Sequence, residues 1–329
     1  MEKITVKNLG TFEIRPYLPE DERQVLSLWK TAFHKEMPEP LWHWKYTRNP
    51  FGCRILLCVN EAGEPVVLYG GIPYVTHCKG RTVEMTQLMD IMSHPEYRKT
   101  GLFIQTGNAF FDTFTGQGKS VLLYGFPGKY HFDIGQKYLS YIKIPADVAY
   151  LKGDTAHLAS SAVRSPGRLE AVHQIDNTFD RLWENCKGDY PLSIIRNAAF
   201  LQWRFGDHPF HRYEIWAYQT TGKEPQGYAV LAVTGSKAAL VDMLAPVAGM
   251  DESGFWGLLG KMLAGRGITV LETWLPGEHA MVRSALASGF VSGPEPIGII
   301  PTIRIFDPDL SFEWACDRLY YTMADGDLM

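Results

Sequence analysis

Uncommon residues recur along this chain in a fixed order and at a near-constant distance, and that recurrence constrains the fold more than any single motif. Trp44-Lys45-Tyr46 with Pro50-Phe51 is matched by Trp203-Arg204-Phe205 with Pro209-Phe210, an offset of 159 (203 minus 44, 209 minus 50). Leu28-Trp29 corresponds to Leu182-Trp183, and Glu64-Pro65 to Glu224-Pro225. Further on, Leu88-Met89-Asp90 corresponds to Leu240-Val241-Asp242, and Gly101-Leu102-Phe103 to Gly254-Phe255-Trp256. Gly118, Pro127 and Tyr141 then match Gly267, Pro276 and Phe290 at an offset of 149 (267 minus 118). Matches that keep their order while drifting so little read as a tandem duplication of one unit. With 329 residues, each copy has enough chain for its own core.

The element order within a copy follows from local pattern. Phe12 to Tyr17 alternates as a short strand, and Pro19-Glu20-Asp21 opens a helix, with Asp21 as candidate cap and Val25, Leu28, Trp29, Ala32 and Phe33 at helical spacing. Ile55 to Val59 and Val66 to Tyr69 flank a turn as in a hairpin. Val83 to Met92 reads as one strand, Leu102 to about Phe114 as a helix ending at Gly116 and Gly118, and Ser120 to Tyr124 as a buried strand. This predicts a mixed α/β fold in two domains, 1–150 and 169–329. Residues 151–168, rich in Ala, Ser and Gly, are the expected linker.

A net charge of −4 and a pI of about 6.2 give no broad basic surface for nucleic acid. No apolar run approaches the roughly 20 residues of a membrane span, and the start lacks a leader pattern, so the expected setting is cytoplasmic. Five scattered cysteines without a Cys-x-x-Cys pair suggest buried thiols, and neither a disulfide framework nor a zinc site. His208-Pro209-Phe210-His211 lacks companion ligands for a metal.

Residues 86 to 110 carry the chemistry. A strand leads through Met92-Ser93-His94-Pro95-Glu96-Tyr97 into Arg98-Lys99-Thr100-Gly101, and a helix follows from Leu102-Phe103. Backbone amides at a helix start converge on an anion, Arg98 and Lys99 add positive charge, and Gly101 lets the backbone approach a ligand closely. The turn reads as a phosphate cradle. It resembles the cofactor loop of the GNAT N-acetyltransferase superfamily, Gln/Arg-x-x-Gly-x-Gly/Ala between strand and helix, with Phe103 where the last small residue falls. In the second copy Asp251-Glu252-Ser253 stands opposite Arg98-Lys99-Thr100, and carboxylates there repel phosphate. Gly277, Ala280 and Gly289-Phe290 nevertheless resemble the superfamily's strand-to-helix segment, so the second copy is expected to keep the fold without the cofactor loop.

The resemblance implies an acetyltransferase that uses acetyl-CoA as co-substrate, gripped by Met92, Ser93, His94 and Arg98 to Phe103. A strand amide near Met92 would hold the thioester oxygen where this strand splays from Ser120–Tyr124. The acceptor would be a small-molecule or peptide amine. An amine of pKa near 10.4 is only about one part in 2,500 neutral at pH 7, so a base or relay is needed. Asp90 is the first candidate, although its counterpart Asp242 suits a structural role, and Glu84 and His94 are reserves. For the acid, the superfamily's usual tyrosine falls at Gly135, which leaves Tyr138 and Tyr130. The aromatic set Trp29, Trp42, Trp44 and Tyr46 could line an acceptor pocket, with core packing the bland alternative. A non-catalytic acyl-CoA sensor and an aminoacyl or fatty-acyl transferase are the rival readings.

Overall fold

The computed structural model describes residues 2–160, 167–220, 224–246 and 252–326, and these divide into two units. Unit 1 comprises residues 1–75, 83–143 and 302–310, and unit 2 comprises 76–82, 144–301 and 311–329.

The sheet of unit 1 uses β1 (Glu2–Val6), β2 (Gly10–Pro16), β3 (Arg54–Val59), β4 (Pro65–Cys78), β5 (Arg81–Leu88), β6 (Met92–Ser93), β7 (Ser120–Gly125) and β8 (Ile142–Lys143). Its helices are α1 (Glu22–Phe33), α2 (Glu39–Trp42), α3 (Leu102–Phe114) and α4 (Lys129–Tyr138). Both faces of the sheet are covered, which explains its near-continuous apolar strands. Along β3, Leu56 and Cys58 join Phe12, Tyr69, Phe110 and Phe111 under α3. Ile55, Leu57 and Val59, one step out of phase, join Val25, Leu28, Trp29 and Trp42 under α1 and α2. Asp21, expected to cap α1, makes no side-chain cap there; its carboxylate takes two 2.7 Å bonds from Arg15 and the Leu18 N–H at 2.8 Å.

Unit 2 uses β9 (Val148–Asp154), β10 (Arg168–Ala171), β11 (Leu192–Ile194), β12 (Glu214–Gln219), β13 (Gly227–Thr234), β14 (Lys237–Leu244), β15 (Val270–Pro276) and β16 (Val291–Gly293). Its helices are α5 (Thr155–Ser160), α6 (Thr178–Cys186), α7 (Ala198–Leu201), α8 (Glu252–Ala264), α9 (Ala280–Ala287) and α10 (Phe312–Arg318). Its main sheet runs β10-β12-β13-β14-β15-β9-β16, and β11 pairs with Thr76–Cys78.

The repeat is visible element by element. Helix α2 runs on into a π-helical turn, His43–Thr47, and α7 runs into the same kind of turn, Gln202–Gly206, 159 residues later (202 minus 43). Gly118 and Gly267 are both left-handed, at φ +72° and +76°. In each unit a parallel pair stands at the centre, β5/β7 and β14/β15.

Domain boundaries read from sequence need revision. Residue 150 falls inside β9, whose partners are β15 and β16. The last strand, β17 (Thr302–Ile305), pairs with β7 and β8 and so completes the sheet of unit 1. Of the expected linker, Leu151–Asp154 belong to β9 and residues 155–160 form α5, while residues 161–166 lie outside the described ones. The small residues there mark close packing: a Cβ on Gly153 would come within 2.7 Å of Leu158.

Candidate active site

Val83 to Met92, read as one strand, is two. Strand β5 pairs with β7 from Glu84/Ser120 to Gln87/Tyr124 and stops there. The chain beyond stays with β4, through Met89 N–H on Gly70 O at 3.1 Å, Met92 and Ser93 opposite Leu68 and Val67, and His94 N–H on Val66 O at 2.8 Å. A gap therefore opens between β6 and the end of β7. Since the His94 N–H faces β4, the alternation of an antiparallel ladder turns the Met92 N–H the same way and the Ser93 N–H into the gap. The strand N–H that points away from β4 is thus that of Ser93, next to the expected Met92.

Asp90 makes this break. It sits at φ +54°, a left-handed conformation that costs a residue other than glycine about 1–3 kcal/mol unless its surroundings impose it. Lys45 Nζ and Tyr46 Oη, both on the first π-helical turn, hold Asp90 Oδ2 at 2.7 and 2.6 Å, and the ion pair is buried. The leading base candidate is therefore engaged in fixing the strand.

The basic turn follows. His94 opens a short 3-10 turn, Pro95–Tyr97, where its Nδ1 faces the Glu96 N–H at 3.4 Å. Lys99 and Gly101 both adopt positive φ, +67° and +89°, and Gly101 is the N-cap of α3. Thr100 Oγ1 donates to Tyr97 O at 2.7 Å, and Arg98 reaches Ala32 O at 3.3 Å, at the carbonyl end of α1. Leu102 is fully buried. The Phe103 ring turns into the core, 5.9 Å from Tyr69 and edge-on to His131 at 5.6 Å, so it leaves the front of the turn clear. Ser93 Oγ is buried without a hydrogen-bond partner among the described residues, the kind of orphan a ligand satisfies.

The other sequence candidates lie apart from the gap or point away from it. Glu84 starts the β5/β7 pairing, accepting Arg54 at 2.7 Å and Ser120 Oγ at 2.6 Å. Tyr130 is 71% exposed in the first turn of α4, and Tyr138, at its last residue, is 53% exposed with Lys137 over its ring. Gly135 is closed to any side chain, because a Cβ there would meet the Tyr141 ring at 2.2 Å. The Tyr141 hydroxyl bonds that of Tyr69, and both are buried. Of the aromatic set, Trp29, Trp42 and Tyr46 are core residues, and Trp44 is buried. Among the described residues no His/Cys/Asp/Glu group could hold a metal.

Sequence reasoning passed over His131. It lies one turn before Gly135 on the same face of α4, against Phe103 and, at 6.0 Å, Tyr141. Burial lowers its pKa to about 4, so the imidazole is neutral at ordinary pH. Lys45 was equally overlooked, although its repeat partner Arg204, also buried, hinted at an internal acidic partner.

Two mixed sheets, each built around a central parallel pair, define a mixed α/β protein of two units. Residues 13–137 match the family model for the acetyltransferase (GNAT) domain. Solved GCN5-related N-acetyltransferases from Anabaena variabilis and Kribbella flavida share the fold at 14% identity, with TM-scores of 0.68 and 0.65. Each alignment covers 90% of this chain, and 73% and 72% of theirs. A conserved protein of unknown function from Enterococcus faecalis aligns at TM-score 0.68 and 14% identity over 90% of this chain and 73% of its own. No curated protein matches. Among the described residues, no helix is long and apolar enough to cross a membrane.

Proposed function

We propose that unit 1 transfers an acetyl group from acetyl-CoA to an amine of a small molecule or peptide, in the cytoplasm. The observation that carries this is the gap between β6 and β7 directly before a basic turn that heads α3. Acetyl-CoA supplies an activated thioester. The early N–H groups of α3, with Arg98 and Lys99, suit its diphosphate, and the Ser93 N–H suits the thioester oxygen, a contribution of about 2.7–4 kcal/mol in comparable sites. Ser93 Oγ, His94 and the Thr100–Gly101 turn complete the donor side. Asp90 positions the strand through Lys45 and Tyr46. For proton transfer we assign His131 as a neutral relay: as nitrogen bonds to carbonyl carbon and the carbon–sulfur bond breaks, the imidazole accepts the amine's proton at one ring nitrogen while it gives a proton from the other to sulfur, and so never carries a charge in its buried site. A second reading, a sensor that binds acyl-CoA without turnover, is favoured by the closed Gly135 position. Incubation with acetyl-CoA and a mixed amine panel, following free thiol, separates the two. Thiol release that depends on an amine supports transfer, and saturable binding without release supports the sensor.

A further inference from the structure

Unit 2 parts its parallel strands where unit 1 does. Pairing of β14 with β15 ends at Ala239/Glu272, and Ala239 is the repeat counterpart of Gln87, where β5 leaves β7. In unit 1 that parting is the donor slot proposed above. In unit 2, residues 320–326 lie there. The Tyr320 N–H donates to Leu192 O at 2.9 Å and its hydroxyl to Met243 O at 2.7 Å, on β14 past the last pair. On the β15 side, the Tyr321 ring is 5.8 Å from Trp274, and a Cβ on Gly326 would be 3.1 Å from the same indole.

Charge fastens the segment. Arg196, fully buried, donates to Asp242 Oδ1 at 3.0 Å and to Asp325 Oδ2 at 2.5 Å. Thr322 Oγ1 donates to Asp242 at 2.8 Å, and Arg204 Nε to Ala324 O at 3.0 Å. Arg204 and Asp242 are the repeat counterparts of Lys45 and Asp90, which in unit 1 bond each other directly. In unit 2 both of them bind the terminal segment, Arg204 through Ala324 O and Asp242 through Thr322.

We propose that unit 2 is a docking site for the chain's own terminal segment: residues 320–326 are the resident occupant of the slot that in unit 1 takes the donor. The term donor slot rests on the function proposed above, whereas the docking rests on these contacts alone. The occupant's chemistry is a short peptide with two tyrosine rings, a threonine hydroxyl and one carboxylate for a buried arginine. The chain then takes a single donor molecule.

The test uses the full chain with a specific protease site inserted at the exposed Pro308-Asp309 turn, cut after folding. The fragment from residue 309 onward is expected to stay with the remainder through gel filtration. A Thr322→Val, Asp325→Asn protein should hold it about 100-fold or more weakly and release it, since one partner of a buried pair is lost. Should that protein not fold, Tyr320→Phe, which removes only the bond to Met243 O, should speed fragment loss. Separation of the fragment from the unsubstituted protein, or equal retention in the substituted ones, overturns the docking. Calorimetric titration of the intact chain with acetyl-CoA should saturate at one molecule per chain. Two per chain overturns the inference, and none overturns the function proposed above while leaving the docking intact.

Discussion

Ser140 holds a left-handed backbone at φ +54°, and its repeat counterpart Gly289 does so at +104°. Only glycine takes this conformation without strain, so Ser140→Gly should raise stability by about 1 kcal/mol in urea denaturation. Gly289→Ala should do the reverse more severely, because a Cβ there meets His157 at 2.4 Å. Burial lowers the pKa of both His131 and His279 to about 4. Unfolding frees them to take up protons below about pH 6.5, so their contribution to stability is complete above that pH and is lost as pH falls towards 4. Melting temperature should therefore drop between pH 7 and 5, and His131→Gln with His279→Asn should flatten the slope. His131→Gln should also cut turnover by about 10²- to 10⁴-fold with acetyl-CoA affinity unchanged; unchanged turnover would remove His131 from the relay. Gly135 was legible as a vacant acid position, but the ring that fills it was not, because Tyr141 arrives through the fold and not through helical spacing.

In the proposed function, donor binding depends on the head of α3. Arg98→Ala removes a charge-assisted contact worth roughly 1.5–3 kcal/mol, so acetyl-CoA should bind about 10- to 150-fold more weakly by calorimetry. Opposite this turn in the second copy, Asp251 and the side chains of Glu252 and Ser253 lie outside the described residues. Asp90→Asn leaves Lys45 buried without its full counter-charge, and should lower the melting temperature as well as donor affinity. Lost turnover with both unchanged would instead return Asp90 to the role of base. The bounds of α3 were readable because Gly101 and an apolar stripe mark them, and the structure gives Leu102–Phe114. The strand break before it was not, because residues 83–92 contain no glycine or proline to mark it. What breaks them is a pair of side chains 45 and 44 positions earlier in the chain, Lys45 and Tyr46.

At the scale of the molecule, the duplication was legible from tryptophans and prolines, whereas the division of strands between units was not. Strand β17 has only four residues, and nothing in Thr302–Ile305 announces a partner near residue 123. A chain ended at residue 150 therefore loses a strand from the unit 1 sheet and exposes β7, so it should aggregate or bind a hydrophobic dye where the full chain does not. The same four residues set a timetable for synthesis. At roughly 5–20 residues per second, a ribosome keeps β7 waiting about ten seconds or more for its partner, with an unpaired edge held open to solvent and neighbours. Unit 1 is begun before unit 2 and completed only after most of unit 2 has been made, which makes its yield sensitive to translation speed and to chaperones in a way that no property of the folded protein would reveal.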